Sequence, residues 1–256
     1  MRISIIGNGN LAQNLAKTFL LSGHELIDMH AKNPVLLNQF CNNNKINAVD
    51  KLANLNTEID ILIISISDSA INEVVKALPR GDYSVFHTSG SISIEVFEKS
   101  DFSNYGVFYP LYSFSKDRQE NFINIPIMIE FSNDFTQGVI EELSKSISNN
   151  VSYVNSAERE IYHLTGIFAN NFTNHLLALT QELVIKHNLD FEQVKPIVEQ
   201  TANKIISAKN ISKIQTGPAK RGNVQIINQH LKLLENDDEL MQIYKELSQS
   251  IIRKHH

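Results

Sequence analysis

The chain has 256 residues, with 23 Lys plus Arg against 28 Asp plus Glu and a formal net charge of -5. At 42% hydrophobic and 20% charged it has the composition of a folded globular protein, long enough for one large domain or two smaller ones. The charge balance excludes a whole-chain attraction for nucleic acid or an anionic membrane, and the single Cys41 excludes an internal disulfide or a thiolate metal cage.

Short apolar runs alternate with helical patterns from the start. Ile3 to Ile6 precedes Leu11 to Leu21, Glu25 to Met29 precedes Pro34 to Cys41, and Ile59 to Ile64 precedes Ala70 to Leu78, followed by Tyr83 to Phe86. Further strands are predicted at Tyr105 to Phe108, Ile125 to Phe131 and Val151 to Val154, with a helix over Phe135 to Ser148. This alternation predicts βαβ units around a parallel sheet: an α/β, doubly wound Rossmann domain over residues 1–154. From Asn155 the strands stop. Asn155 and Glu158 have the spacing of a capping box, and the helix they open is predicted to run to about His187. Helices at Phe191 to Ala208, Asn223 to Leu234 and Asp237 to Arg253 complete an all-helical C-terminal domain over residues 155–256.

Two stretches bear on location. Ile161 to Gln181 is uncharged and long enough to span a bilayer, but it carries Asn170, Asn171, Asn174, two His and three Thr, so a buried helix and no membrane partner are expected. Met1-Arg2 leads straight into an apolar strand without the three regions of a secretory leader. With one free thiol, a cytoplasmic protein is expected.

The string Gly7-Asn8-Gly9-Asn10-Leu11-Ala12 follows the first strand with the spacing G-x-G-x-x-A. Gly7 permits the turn, Gly9 lets backbone approach a pyrophosphate, small Ala12 lets the helix pack on the strand, and the helix N-terminus offers unpaired N–H groups to phosphate. In this position the motif predicts a dinucleotide site. The second strand ends Asp28-Met29-His30-Ala31-Lys32. Asp28 falls two residues short of the place for a ribose-binding acid, while Lys32 stands where a 2′-phosphate would lie; this favours NADP (NADPH), against a reading of Lys32 as a solvated surface charge.

Ligands of such sheets lie outside the carboxyl ends of the strands. Ser65 and Ser67, then His87-Thr88-Ser89, then Tyr109 fall there, and are the candidates to line the nicotinamide and the substrate; His87, Ser89 and Tyr109 are the candidates to supply or relay a proton. On the long helix, His163, Asn170, Asn174 and Gln181 fall within about 20° of one line at 100° per residue. With 28 Asn in the chain, this polar stripe reads equally as helix packing. Lys220 and Arg221, in a linker bounded by Gly217 and Gly222, are candidates to bind a substrate anion. No His pair at i, i+4 with a neighbouring carboxylate supports a zinc site, so no metal is expected.

The strings GNGNLA, HTSGS, GVFYPLYSFS, GIFANNFTNHL and QTGPAKRGN, in this order, closely resemble a bacterial family that joins an NADP-binding Rossmann domain to the helical domain of unknown function 2520. More distantly the chain resembles the superfamily of pyrroline-5-carboxylate reductase, deazaflavin-dependent NADP reductase and the β-hydroxyacid dehydrogenases. The resemblance implies a helical domain that closes the cofactor cleft and builds a homodimer. It also implies a departure: β-hydroxyacid dehydrogenases keep a catalytic Lys four residues after a helical Gly and an Asn four further, whereas here Gly166 is followed by Asn170 and Asn174. An amide does not exchange protons as Lys does, so Asn170 and Asn174 would orient a carbonyl or imine instead. Two functions remain: an NADP-dependent oxidoreductase passing a hydride to a small carbonyl or imine substrate, and a noncatalytic NADP-binding sensor acting through its helical domain.

Overall fold

The computed structural model describes residues 1–115 and 118–256. Eight strands form one sheet in the order β3-β2-β1-β4-β5-β6-β7-β8. They are β1 (Arg2–Ile6), β2 (Glu25–His30), β3 (Asn47–Val49), β4 (Ile61–Ile64), β5 (Ser84–His87), β6 (Tyr105–Pro110), β7 (Ile127–Phe131) and β8 (Val151–Tyr153). The helices between them are α1 (Asn10–Leu21), α2 (Pro34–Asn44), α3 (Asp68–Ala77) and α4 (Asp134–Ile147). The central strands are apolar runs because both faces are covered. Ile61 and Ile63 join Leu15, Phe19 and Ile140 on one side of the sheet, while Leu62 and Ile64 join Ile71, Val75 and Phe97 on the other.

Two features depart from the expected parallel sheet. The short β3 was not predicted; it pairs with β2 from Asp28↔Asn47 to His30↔Val49. β7 runs antiparallel to β6, from Gly106↔Phe131 to Pro110↔Ile127. The described residues between β6 and β7 carry a 3₁₀ turn, Phe122–Asn124, and no crossover helix. Without a crossover the chain returns beside the strand it left, in the opposite direction.

The chain falls into two compact units, Met1–Phe172 and Thr173–His256. The first includes α5 (Ser156–Gly166), opened by the capping box in which Asn155 accepts from the Glu158 N–H and Glu158 accepts from the Asn155 N–H. A π-helical segment, Ile167–Phe172, follows. The second holds α6 (Thr173–Lys186), α7 (Lys195–Ser207), α8 (Val224–Leu233) and α9 (Asp238–His255). No helix among the described residues is long and apolar enough to cross a membrane.

Candidate functional site

The carboxyl edge of the sheet in the first unit holds a cavity of about 600 Å³. Its floor is the glycine turn. Gly7 has φ +131°, and a side chain there would place Cβ 1.9 Å from the Ser65 carbonyl oxygen. The same turn is tied to both neighbouring strands, since the Gly7 N–H donates to His30 O at 2.8 Å and the Ser65 N–H donates to Ile6 O at 2.7 Å. Gly9 differs: a Cβ there would meet nothing within 4 Å. Folding thus demands glycine at position 7, whereas the open space at position 9 is what a ligand's close approach would need. Gly9 caps α1 with no side-chain hydrogen bond, and the first turn of α1 holds no acid, so its N–H groups are left for an anion. An open backbone cradle at an uncapped helix start, beside a cavity of this size, fits a dinucleotide pyrophosphate.

Asn8, Asn10, Leu11, Lys32, Ser65 and Ser67 also line this cavity, as do Ser89 and Tyr109. Beside β2 the cavity is lined by His30, Ala31 and Lys32. Asp28 is buried, accepting from the Asn47 side chain at 2.6 Å and the Asn56 N–H at 2.7 Å, where it pins β2 to its neighbours. His30 lines the cavity with one ring nitrogen engaged by Val49 O at 2.8 Å, and Lys32 is exposed. A second hollow beside them is lined by His30, Lys32 and Asp50.

The other end carries the groups that hold protons. The Tyr109 hydroxyl lies 2.9 Å from His163 Nδ1, and both side chains line the cavity. Burial raises the Tyr109 pKa, with Asp68 adding and Arg159 opposing, so the phenol stays protonated. His163 comes from α5 and fits because Gly90 has no side chain: a Cβ there would lie 2.6 Å from its Cγ and Nδ1. The start of α5 is fixed by Arg159, whose guanidinium is 1% exposed, pairs with Glu130 and donates to Ile92 O and the Ser156 hydroxyl. Thr88, a strand-end candidate, lines the cavity too, as do Asp68 and Gly90 beside it, whereas His163 is a cavity residue that strand-end reasoning did not reach. The available signal for His163 was its place on the helical stripe.

His87 lies outside the lining of the cavity. Its ring is fully buried and stacked on Phe97, its Nδ1 accepts from the Ser89 N–H, and its Nε2 has no partner. Burial, reinforced by Arg159, pushes its pKa down to about 3, so it is neutral. The polar stripe of the long helix is not one line either. A π turn closes i→i+5 hydrogen bonds and breaks the 100° arithmetic between His163 and Asn174. Asn170 is exposed, with Asn171 as a neighbour at 3.5 Å. Within the second unit, Asn174 and Gln181 line a groove of about 690 Å³ with Phe191, Pro196 and Glu199. Also in that unit, the Lys220 carbonyl contacts His256 Nε2 at 2.9 Å, and Arg221 is exposed. Among the described residues no group of three or more His, Cys, Asp or Glu is arranged to hold a metal.

Comparison with known proteins agrees with this layout. Residues 2–87 match the family model described as NADP oxidoreductase, coenzyme F420-dependent, and residues 125–251 match domain of unknown function 2520. No curated protein matches. Among solved structures, a candidate NADP oxidoreductase from Bacteroides fragilis is 33% identical, with 98% of each chain covered and a TM-score of 0.91. A pyrroline-5-carboxylate reductase from Streptococcus pyogenes is 15% identical over 100% of this chain and 98% of its own, with a TM-score of 0.68. An imine reductase from Aspergillus terreus, solved with NADPH4 and dibenz[c,e]azepine, is 12% identical over 99% and 94%, with a TM-score of 0.67. The last two share the fold. With the Bacteroides protein matched over 98% of its length and both family models in order, the chain belongs to the family that joins an NADP-oxidoreductase-type Rossmann domain to domain of unknown function 2520.

Proposed function

We propose that the chain is an NADPH-dependent reductase of a small carbonyl or imine substrate. One observation carries the reading: a single cavity runs from an uncapped helix start beside Gly9 to a paired phenol and imidazole. Bound NADPH would supply the hydride; the chain's own groups bind, orient and protonate. The N–H groups at the start of α1 hold the pyrophosphate, and Lys32 answers the 2′-phosphate where Asp28 is already occupied. Ser65, Ser67 and Ser89 offer hydrogen bonds along the cavity. The relatives support this choice of chemistry, since the S. pyogenes and A. terreus enzymes are named as reductases of C=N bonds. A reducing, NADPH-rich compartment such as the cytoplasm suits the chain, whose one thiol, Cys41, is buried and raised to about 11.

A second copy of the chain completes the reading. In the unit Thr173–His256 only Ala219, Leu234 and Ser248 are buried, while Ile197, Ile206, Val224 and Leu233 are exposed. Helices with so little core of their own need another surface, and a homodimer through this unit supplies it.

The test is calorimetric titration with NADPH and NADH, on wild type and Lys32→Ala, followed by turnover on cyclic imines and small aldehydes and ketones. NADPH is expected to bind more tightly, and the substitution to weaken it about tenfold, the lower range for a charge-assisted contact at an exposed side chain. Equal NADH affinity or an unaffected Lys32→Ala rejects the NADP assignment. Tight NADPH binding with no turnover on any acceptor rejects the reductase and leaves a cofactor-binding module.

A further inference from the structure

We infer that His163 is the group that delivers the proton to the reduced substrate, with Tyr109 and Gly90 as the residues that position its ring. The inference rests on the reductase reading and assigns a role that neither the glycine turn nor the strand-end motifs carry.

Three observations meet at this ring. First, of the two histidines near the carboxyl edges of β5 and β6, His163 lines the cavity, whereas His87 is sealed against Phe97. Second, the ring has one free polar atom. Nδ1 is engaged by the Tyr109 hydroxyl, and Nε2 makes no hydrogen bond among the described residues, so Nε2 is the atom left to meet a ligand. Third, the placement is built in. Arg159, four residues earlier on α5, anchors that helix to β7 through Glu130 and to the segment after β5 through Ile92 O, and the missing side chain at Gly90 is the space the ring occupies. Residues four apart share a helix face, so the anchor and the ring are carried on one side of α5.

The chemistry balances with the groups present. The carbon of the C=O or C=N bond would receive the hydride that bound NADPH supplies, leaving NADP⁺. The π electron pair moves to the oxygen or nitrogen, which takes the proton from Nε2 as that N–H bond breaks. The imidazolium becomes imidazole and recovers its proton from solvent. Tyr109, held protonated by burial, accepts from Nδ1–H through its oxygen and so holds the ring with Nε2 turned to the cavity. Two charged groups act on Tyr109: Arg159, itself paired with Glu130, and Asp68 at the start of α3.

The experiment uses the full chain and reads the ring as well as the rate. His163 is observed by NMR through its imidazole nitrogens, titrated with pH, with and without NADPH, in wild type, Tyr109→Phe and Gly90→Ala. Steady-state reduction is measured in the same chains and in His163→Gln. The expected result is that NADPH moves the His163 signals, that Tyr109→Phe also moves them and lowers kcat by freeing the ring, and that Gly90→Ala lowers the rate by displacing it. His163→Gln is expected to lower kcat by about 10²–10⁴-fold while NADPH affinity stays within a few fold. If NADPH binds but leaves the His163 signals unmoved, or His163→Gln keeps the wild-type rate and pH profile, the inference is wrong and the reductase reading stands. If wild type binds no NADPH, or binds it and reduces nothing, the reductase reading itself fails and takes the inference with it.

Discussion

Glu130 is the position where the fold and the proposed site can be perturbed together. Arg159 is 1% exposed, and its charge is answered by one carboxylate. Ile92 O and the Ser156 hydroxyl also accept from it, which satisfies N–H groups without cancelling charge. Glu130 accepts in addition from the Ser156 N–H at 2.9 Å, at the first turn of α5. Removing one partner of a buried ion pair costs about 3–5 kcal/mol, because the other charge stays in a poor solvent. Glu130→Gln, which keeps an acceptor and loses only the charge, belongs at the lower end; Glu130→Ala, which also frees the Ser156 N–H, belongs at the upper end. For a unit of this size each kcal/mol moves Tm by about 2–4 °C, so the expected losses span about 6–20 °C. The double variant Glu130→Leu with Arg159→Met should recover most of the loss, since apolar replacement of a buried pair is near neutral. Calorimetry and urea melts of the full chain measure all four proteins. A fall under about 2 °C for Glu130→Ala, or a double variant no better than the single, would mean that water reaches Arg159 and that α5 is not anchored by this pair.

His87 gives a pH dependence with a definite sign. Its folded pKa is about 3 against an ordinary 6.5, through burial first and Arg159 second, with the Ser93 backbone and Asp68 opposing. Between those values the unfolded chain holds a proton that the folded chain does not, so this contribution is complete above about pH 6.5 and is lost toward pH 3 at about 1.4 kcal/mol per pH unit. His87→Leu should flatten the urea-midpoint profile between pH 6.5 and 4.5, and matching slopes would show that His87 is solvated when folded. The helical unit gives a mass: light scattering at micromolar concentration should return twice the chain mass, and charged replacements at Ile206 and Leu233, 83% and 72% exposed, should yield monomer with reduced helix content. A wild-type monomer that melts cooperatively would refute the dimer.

What the sequence made legible was local. The G-x-G-x-x-A turn, the alternation of strands with helices and the Asn155/Glu158 capping box all lie within a few residues, and each is present in the structure. The return of β7 beside β6 is a property of a connection that lacks a helix, and the three-residue β3 is too short to show a period. The π segment at Ile167–Phe172 replaces an ordinary helical turn with a wider one, and no simple rule of spacing announces it. The pairs that shape the cavity join residues far apart in sequence, Glu130 with Arg159 and Tyr109 with His163, and no periodicity links such partners.

One part of the site was nevertheless within reach of strand geometry. Strand ends point to the ligand, which draws attention to His87, the last residue of β5. Side chains alternate along a strand, so His87 shares its face with Val85, in the core cluster that also holds Phe97, while Phe86 faces the other side. The register pairs His87 with Val107 of the neighbouring strand. Tyr109 is therefore on the same face as Val107 but two residues further along, about 6–7 Å nearer the carboxyl edge. A histidine level with Val107 is covered by whatever packs on that face; a tyrosine one pleat beyond emerges at the cavity, where a partner from α5 can meet it. That offset, rather than the intrinsic reactivity of either ring, is the physical basis for placing proton delivery with Tyr109 and His163 and leaving His87 to the core.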